Sequence, residues 1–278
     1  MKSVKPDVID PREPFAQEDW DPLLLWRFEE SAPGTQVYFT SRPGGQSSAP
    51  YESLNLGFHV GDDPETVKGN RALLCSTLGL EPLDLTSPRQ RHTDTVEVLE
   101  KEDVGSGATG EESAFDHFDP CDGLFTTLPG APLLLHFADC VPVVLTARTG
   151  HGPAIAVIHA GRRGLMEGIV SKAASLLMAQ TAAAADSITA AIGPCIGPCC
   201  YQVDDETEAA FAERFGSENV TGRFLDLRQA AVDELVAAGL RRENIYVLEI
   251  CTACNDQFFS YRRDGVTGRH GAIAWIEP

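Results

Sequence analysis

Three short stretches of this chain place reactive side chains where apolar strands should run or end. "LLLHFADCVPVVL" carries Asp139 and Cys140 in an otherwise apolar text, "AIAVIHAGRRG" is apolar until His159, and "SPRQRHTDTVEV" puts His92 at a loop-to-strand junction. Imidazole and thiolate both suit zinc, and three protein ligands leave a fourth position open for water or substrate. Cys140 and His159 are nineteen residues apart, the separation expected when two neighbouring strands deliver them to one place. Taken singly, each of the three also fits an ordinary buried side chain.

Two other chemistries fit the same residues. Cys140 as a thiolate nucleophile, with His159 or His92 as base, makes a metal-free cysteine hydrolase. A copper phenol oxidase needs many histidines, including His-x-His pairs; the chain has seven histidines and no such pair. A binding module without turnover is the non-enzymatic alternative. The remaining reactive thiols lie in "GPCIGPCCYQV" (Cys195, Cys199, Cys200) and "CTACNDQFFSYRRD" (Cys251, Cys254). That pattern resembles a structural zinc site with poor spacing. Buried thiols are the expected reading, with the glycines and prolines marking a tight loop near a ligand. Anion binding falls to arginines, whose forked guanidinium suits phosphate: Arg163 first, then Arg42 in "TSRPGG" and Arg262 beside Arg263 in "FFSYRRDG". His136 reads as a structural residue, and His59 fits either role.

The elements that must position these groups alternate between strands and helices. A strand in "QVYFT" enters a Gly/Pro turn and a long loop. Then "DDPETVKGNRALLCSTLGL" predicts a helix, with Asp63 as N-cap, Pro64 in the first turn and Gly79 at the end. Leu133 to Leu145 reads as a buried β-segment, "AIAVIHA" as its neighbour, and "GLMEGIVSKAASLLMAQTAAAA" as the strongest helix. "KEDVGSGATGEESAFDHFD" reads as an exposed loop. "SITAAIG" and "NIYVLEI" predict strands, and "DDETEAAFAERF" and "LDLRQAAVDELVAAGL" amphipathic helices. Residues 1–35 read as a loose lead-in, followed by one α/β domain over 36–278.

Composition narrows the class. A net charge of −19 argues against nucleic-acid partners, which require basic surface. No apolar run reaches the length of a membrane span, and the polar, acidic amino terminus does not read as a secretory signal. A cytoplasmic, reducing location follows as an expectation, and with it eight free cysteines rather than disulfides.

Read together, "TSRPGGQSSAPYESLNLGFHVGDDPETVKGNR", "DGLFTTLPGAPLLLHFADCVPVVL", "VIHAGRRGL", "IGPCIGPCCYQV" and "FFSYRRDGVTGRHGAIAWI" resemble the YfiH-like, or laccase-domain, family, also labelled multicopper polyphenol oxidases. The resemblance spans about residues 36–276. It implies a single-domain α/β/β/α layered arrangement with mixed β-sheets, akin to cytotoxic-necrotizing-factor-type cysteine hydrolases. It implies zinc, or copper, held by His92, Cys140 and His159. It further implies phosphorolysis of adenosine, inosine, guanosine and methylthioadenosine, and deamination of adenosine; some members are described as peptidoglycan-editing factors. Purine nucleosides and phosphate are then the partners, for a monomer or small homo-oligomer. Asn55 of "SLNLG" is carried over as a substrate contact. Asp139 is the expected proton shuttle beside Cys140, although strand alternation would send it to the opposite face. Arg162 stands where the family has Trp, Arg91 and Thr93 flank the ligand in "QRHT", and Cys195 replaces a more usual Ser. These departures bear on substrate preference.

Overall fold

The apolar run from Leu133 to Leu145 is not one strand but two, in different sheets. The computed structural model describes residues 14–110 and 119–278. One sheet is antiparallel throughout. Its strands, numbered in chain order, are β1 (Phe15–Trp20), β2 (Leu23–Phe28), β3 (Thr35–Thr40), β6 (Leu133–Phe137) and β13 (His270–Ile276), laid out β1-β2-β3-β13-β6. The other is mixed: β4 (Val96–Val98), β5 (Gly123–Thr126), β7 (Val141–Thr149), β8 (Gly152–Ala160), β9 (Ile188–Ile192) and β12 (Ile245–Val247), in the order β12-β9-β7-β8-β5-β4. Its β7 pairs antiparallel with β8 and β9, while β4–β5 and β9–β12 are parallel. A small hairpin, β10 (Val220–Thr221) with β11 (Phe224–Leu225), stands apart.

Two-residue alternation sorts the side chains into layers. Leu133, Leu135 and Phe137 of β6 meet Val144 of β7 and Ile155 and Val157 of β8 in a core between the sheets. The other face of the mixed sheet, with Val143, Leu145, Ala156 and Ile158, packs on α3 (Ile169–Thr181), α4 (Asp205–Phe215) and α5 (Leu227–Ala237). The outer face of the antiparallel sheet, with Leu134 and Ile273, packs on Leu74 and Cys75 of α1 (Pro64–Leu78). The α/β/β/α arrangement follows from these three cores. Burying an aliphatic side chain of this size contributes about 1.5–3 kcal/mol, so each layer has ample drive to close.

Several expectations change here. The lead-in is not loose where it is described: residues 15–28 form β1 and β2, and Phe15 and Phe28 pack in the inter-sheet core. Residues 1–13 lie outside the described chain, as do residues 111–118 of the expected exposed loop. The preceding part of that loop is tucked in, since the carbonyls of Gly107 and Ala108 accept from the buried Arg71. The long helix after His159 is two, α2 (Arg162–Met166) and α3, separated at Gly168 with φ 84°. α1 is capped as read: Asp63 accepts from the Thr66 amide, Pro64 opens the helix and Gly79 closes it. The short α6 (Tyr261–Asp264) completes the set.

Candidate active site

His159 sits on β8 in phase with Ile155 and Val157, so alternation turns its ring into the layer between the sheets. There it meets the ring of Phe137, centroids 5.4 Å apart, at the point where β6 ends. Across β8, Pro142 of β7 is in register with His159, which leaves Cys140 just outside the start of β7. The turn from one sheet to the other is made at Asp139, whose φ is 98°. His92 comes from the loop before β4, also left-handed at φ 57°, and its ring stands 4.9 Å from that of His159. Cys140 Sγ lies 3.6 Å from His92 Nε2. Non-glycine residues in this region of backbone space are costly and cluster at functional sites.

Behind His159 stands a carboxylate that local spacing did not single out. Asp122 Oδ1 accepts from His159 Nδ1 at 2.7 Å, so that nitrogen carries the proton and Nε2 is left as the ligand atom. Asp122 Oδ2 accepts from the amides of Arg91 and Thr93 and from the Thr93 hydroxyl, at 3.0, 2.6 and 2.9 Å. One buried carboxylate thus orients His159 and grips the loop on both sides of His92. Burial pushes the Asp122 carboxyl up, but the His159 hydrogen bond and the backbone amides outweigh it and bring it down to about 2.

The donor set fits a metal ion. One nitrogen or sulfur from each of His92, Cys140 and His159 lies within 4.8 Å of the others. Around a tetrahedral zinc, with Zn–N about 2.0–2.1 Å and Zn–S about 2.3 Å, such atoms stand about 3.3–3.6 Å apart. His92 is exposed, Cys140 half-buried and His159 buried, so the open side faces solvent. Without an ion the charges pair among themselves. Burial raises the Cys140 thiol, but His159 and His92 bring it down to about 6. Burial lowers His159, but Cys140 and Asp122 bring it up to about 9. Gly161 closes the floor: a Cβ there would lie 2.7 Å from the His92 ring and 3.1 Å from Cys140 Sγ.

The other expected site residues fall elsewhere. Asp139 is adjacent to Cys140 but committed, its oxygens accepting from Thr252 Oγ1 and the Arg262 amide at 2.7 Å each. It holds the turn rather than offering a free carboxylate to move a proton. Asn55 is buried. Its Oδ1 accepts from the Gly57 and Arg269 amides, and its Nδ2 donates to Asp62 and the Gly57 carbonyl, so it ties a loop instead of facing a ligand. Arg42 is turned to the Glu52 carbonyl and Asp264, and Arg262 donates to the carbonyls of Cys200 and Gln202. Arg163 is exposed on α2 and paired one turn along with Glu167.

A cleft of 290 Å³ shares the segment that carries His92, and its walls include Phe58, His59, Arg71, Gln90, Arg91 and His136. His136 is structural, as expected: its Nε2 meets Arg71 and its Nδ1 meets Gln90, while Gln90 also bridges to the His136 backbone. Burial and Arg71 hold His136 well below the usual imidazole range. The crowded surroundings of His59, which still reaches solvent, and Arg269 bring it down to about 4. Both are neutral at pH 7. Sequence reasoning missed Asp122, Gln90 and this cleft. The signal available for Asp122 was a lone carboxylate opening the apolar "DGLFTT", which only strand pairing connects to His159.

The fold is that of an α/β protein with two stacked sheets, helices on both outer faces, and a His-Cys-His donor set suited to a metal ion at the seam. Residues 36–277 match the model of the family described as multi-copper polyphenol oxidoreductase laccase, and the chain belongs to that family, the YfiH-like laccase-domain proteins. It is 37% identical over 246 residues to a protein named purine nucleoside phosphorylase YlmD of Geobacillus stearothermophilus, covering 85% of this chain and 88% of that one. It is 35% identical over 248 residues to one named adenosine deaminase RL5, from an unknown prokaryotic organism, covering 86% and 92%. Among solved structures, it is similar to a Bacillus licheniformis hypothetical protein, YfiH, with TM-score 0.87 and 32% identity over 95% of this chain and all of that one. These relatives support an enzyme with a purine nucleoside-processing role at the level of the family.

Proposed function

We propose that the chain is a zinc-dependent purine nucleoside phosphorylase that acts on adenosine, inosine, guanosine and methylthioadenosine and also deaminates adenosine. The observation that carries this reading is the convergence of His92, Cys140 and His159 with Asp122 behind His159. The names of the phosphorylase and deaminase relatives point to the substrate class. Residues 36–278 carry the catalytic site in this reading, with β1 and β2 built into the same sheet, and its setting is cytoplasmic.

His92, Cys140 and His159 would hold the zinc, which would supply Lewis-acid chemistry. The chain's own residues do the rest. Asp122 keeps the His159 proton on Nδ1 and so leaves Nε2 unprotonated as the ligand atom. Phosphorolysis joins a phosphate oxygen to C1′ of the ribose and breaks the bond to the purine nitrogen, so it needs a cation to hold the phosphate. Arg91 supplies it: it lines the cleft, precedes His92 and is exposed, whereas Arg42 and Arg262 are engaged elsewhere. The neutral His59, exposed on the cleft wall, offers a ring for the purine, while the Phe58 ring is already covered by the Arg71 guanidinium 4.3 Å from its centroid.

The test is incubation of the zinc-loaded protein with adenosine and phosphate, followed by chromatography for adenine, inosine and hypoxanthine. Adenine that depends on phosphate, together with inosine, is expected; neither product appearing sinks the proposal.

A second reading rests on the depressed Cys140 thiol beside the raised His159 imidazole, the pairing a metal-free cysteine hydrolase uses, including one that edits peptidoglycan precursors. A chelator separates the two, since such a hydrolase keeps its rate without metal. Copper is the other ion this donor set accepts, and metal analysis of the purified protein decides between it and zinc.

A further inference from the structure

The loops after two neighbouring parallel strands, β9 and β12, meet on the surface and bring together four thiols. Cys199 Sγ and Cys200 Sγ lie 3.6 and 3.3 Å from Cys254 Sγ, and the four sulfurs of Cys199, Cys200, Cys251 and Cys254 all lie within 4.8 Å of one another. From this juxtaposition we propose a second metal site, a structural zinc held by these four cysteines and separate from the His92–Cys140–His159 centre.

The geometry is that of a tetrahedron. Four sulfurs at about 2.3 Å from a zinc stand about 3.8 Å apart, whereas bonded sulfurs stand about 2.05 Å apart. The 3.3 and 3.6 Å pairs seen here are unbonded and lie closer to the first spacing than to the second. The chain pattern is also suitable: Cys251 and Cys254 form a C-x2-C turn, closed by the Cys254 and Asn255 amides donating to the Cys251 carbonyl at 3.2 and 3.1 Å. The Gly197 amide donates to Cys251 Sγ at 3.2 Å, a contact that stabilises a thiolate. Gly197 is closely packed here, since a Cβ would lie 3.3 Å from both Cys199 Sγ and Cys251 Cβ and these would have to give by a few tenths of an ångström. The expectation of buried thiols holds for Cys195, but Cys199 and Cys254 are exposed, and packing does not account for four thiols gathered at a surface. On binding, each thiol that ligates the ion gives up its proton to solvent, and the ion takes the place of those protons.

The site braces the turn that carries Cys140. Paired backbone bonds between Cys195 and the Ile250–Thr252 segment zip the two loops together. From these loops the Ile196 amide donates to the Asp139 carbonyl, Thr252 Oγ1 donates to the Asp139 carboxylate, and Arg262, bound to the Cys200 carbonyl, donates its own amide to the same carboxylate. An ion joining the loops at Cys199, Cys200, Cys251 and Cys254 therefore stiffens the support of Asp139 and its neighbour.

The experiment is metal analysis of the full-length protein purified without chelator, as wild type, as Cys140→Ala/His159→Ala and as Cys199→Ser/Cys254→Ser. About two zinc ions per chain are expected in the wild type and about one in each double variant. Cobalt(II) substituted into Cys140→Ala/His159→Ala should show the intense sulfur-to-cobalt charge-transfer absorption of a four-thiolate tetrahedron. This measurement leaves the cysteine cluster intact and so holds even if Cys199→Ser/Cys254→Ser fails to fold. The proposal is overturned if Cys140→Ala/His159→Ala binds no metal and shows no such absorption. It is equally overturned if mass analysis of the freshly isolated, unreduced protein finds these thiols bridged. Because the first double variant lacks the catalytic ligands, failure here is distinct from failure of the nucleoside reading.

Discussion

The carboxylate of Asp122 lies 2.7 Å from Nδ1 of His159, and its second oxygen holds the amides on either side of His92. A single side chain therefore positions two of the three ligands. Asp122→Asn keeps the shape but turns an obligate acceptor into a group that must donate from one end. Metal affinity and kcat should each fall about 10–100-fold, as for other groups that support a liganding histidine. Metal titration alongside steady-state kinetics reads both, and unchanged affinity would sink the assignment.

The same carboxylate makes a signed contribution to acid stability. Its folded pKa, about 2, is below the unfolded value of 3.8, so its stabilisation is complete above about pH 4 and is lost as pH falls through about 2. The shift corresponds to about 2 kcal/mol. Denaturation curves of the metal-free protein should therefore show the difference between wild type and Asp122→Asn shrinking from about pH 4 to pH 2; a constant gap would show that Asp122 is not an ionised partner.

Removing the ion, or any ligand, should silence the site. His92→Ala, Cys140→Ala, His159→Ala and exhaustive chelation should each abolish both phosphorolysis and deamination, with zinc restoring only the chelated wild type. Full rates in the chelated wild type would instead favour the cysteine hydrolase, whereas full rates in Cys140→Ala would sink both readings.

Gly161→Ala tests how tightly the floor is built. The new methyl meets the His92 ring at 2.7 Å and Cys140 Sγ at 3.1 Å, so one ligand must move. Because the β7–β8 ladder ends just before it, the fold should survive with a cost of about 1–3 kcal/mol, while catalytic metal is lost. Circular dichroism with metal analysis checks this; wild-type metal content would refute it.

Two arginines separate the readings of anion binding. Arg91→Ala should raise the KM for phosphate at least about tenfold, as loss of one charge-assisted contact of about 1.5–3 kcal/mol implies. Arg163→Ala removes only an exposed pair with Glu167 and should change it less than about threefold, although residue order alone had favoured Arg163. The reverse ranking would place the phosphate over α2.

Much of the layout was legible because it is written in local chemistry. The caps of α1, the amphipathic helices and the apolar strands follow from period and from Asp63, Pro64 and Gly79. Cys140 and His159 could be paired because adjacent antiparallel strands bring a short chain separation back to one place. The strands β1 and β2 were not legible, since "FAQEDW" is polar on the face it exposes and gains its place only by pairing with its neighbours.

Sequence alone thus determined the class of side chains available, the α/β character and the three candidate ligands. Tertiary structure decided that the run around Cys140 breaks between two sheets, that Asp139 and Asn55 are tied into loops, and that Asp122 governs both histidines. The reason is one of range. Propensity and periodicity act over a few residues, whereas hydrogen-bond commitment depends on partners brought near by sheet pairing, from 29 to 123 positions away for Asp122 and Asp139.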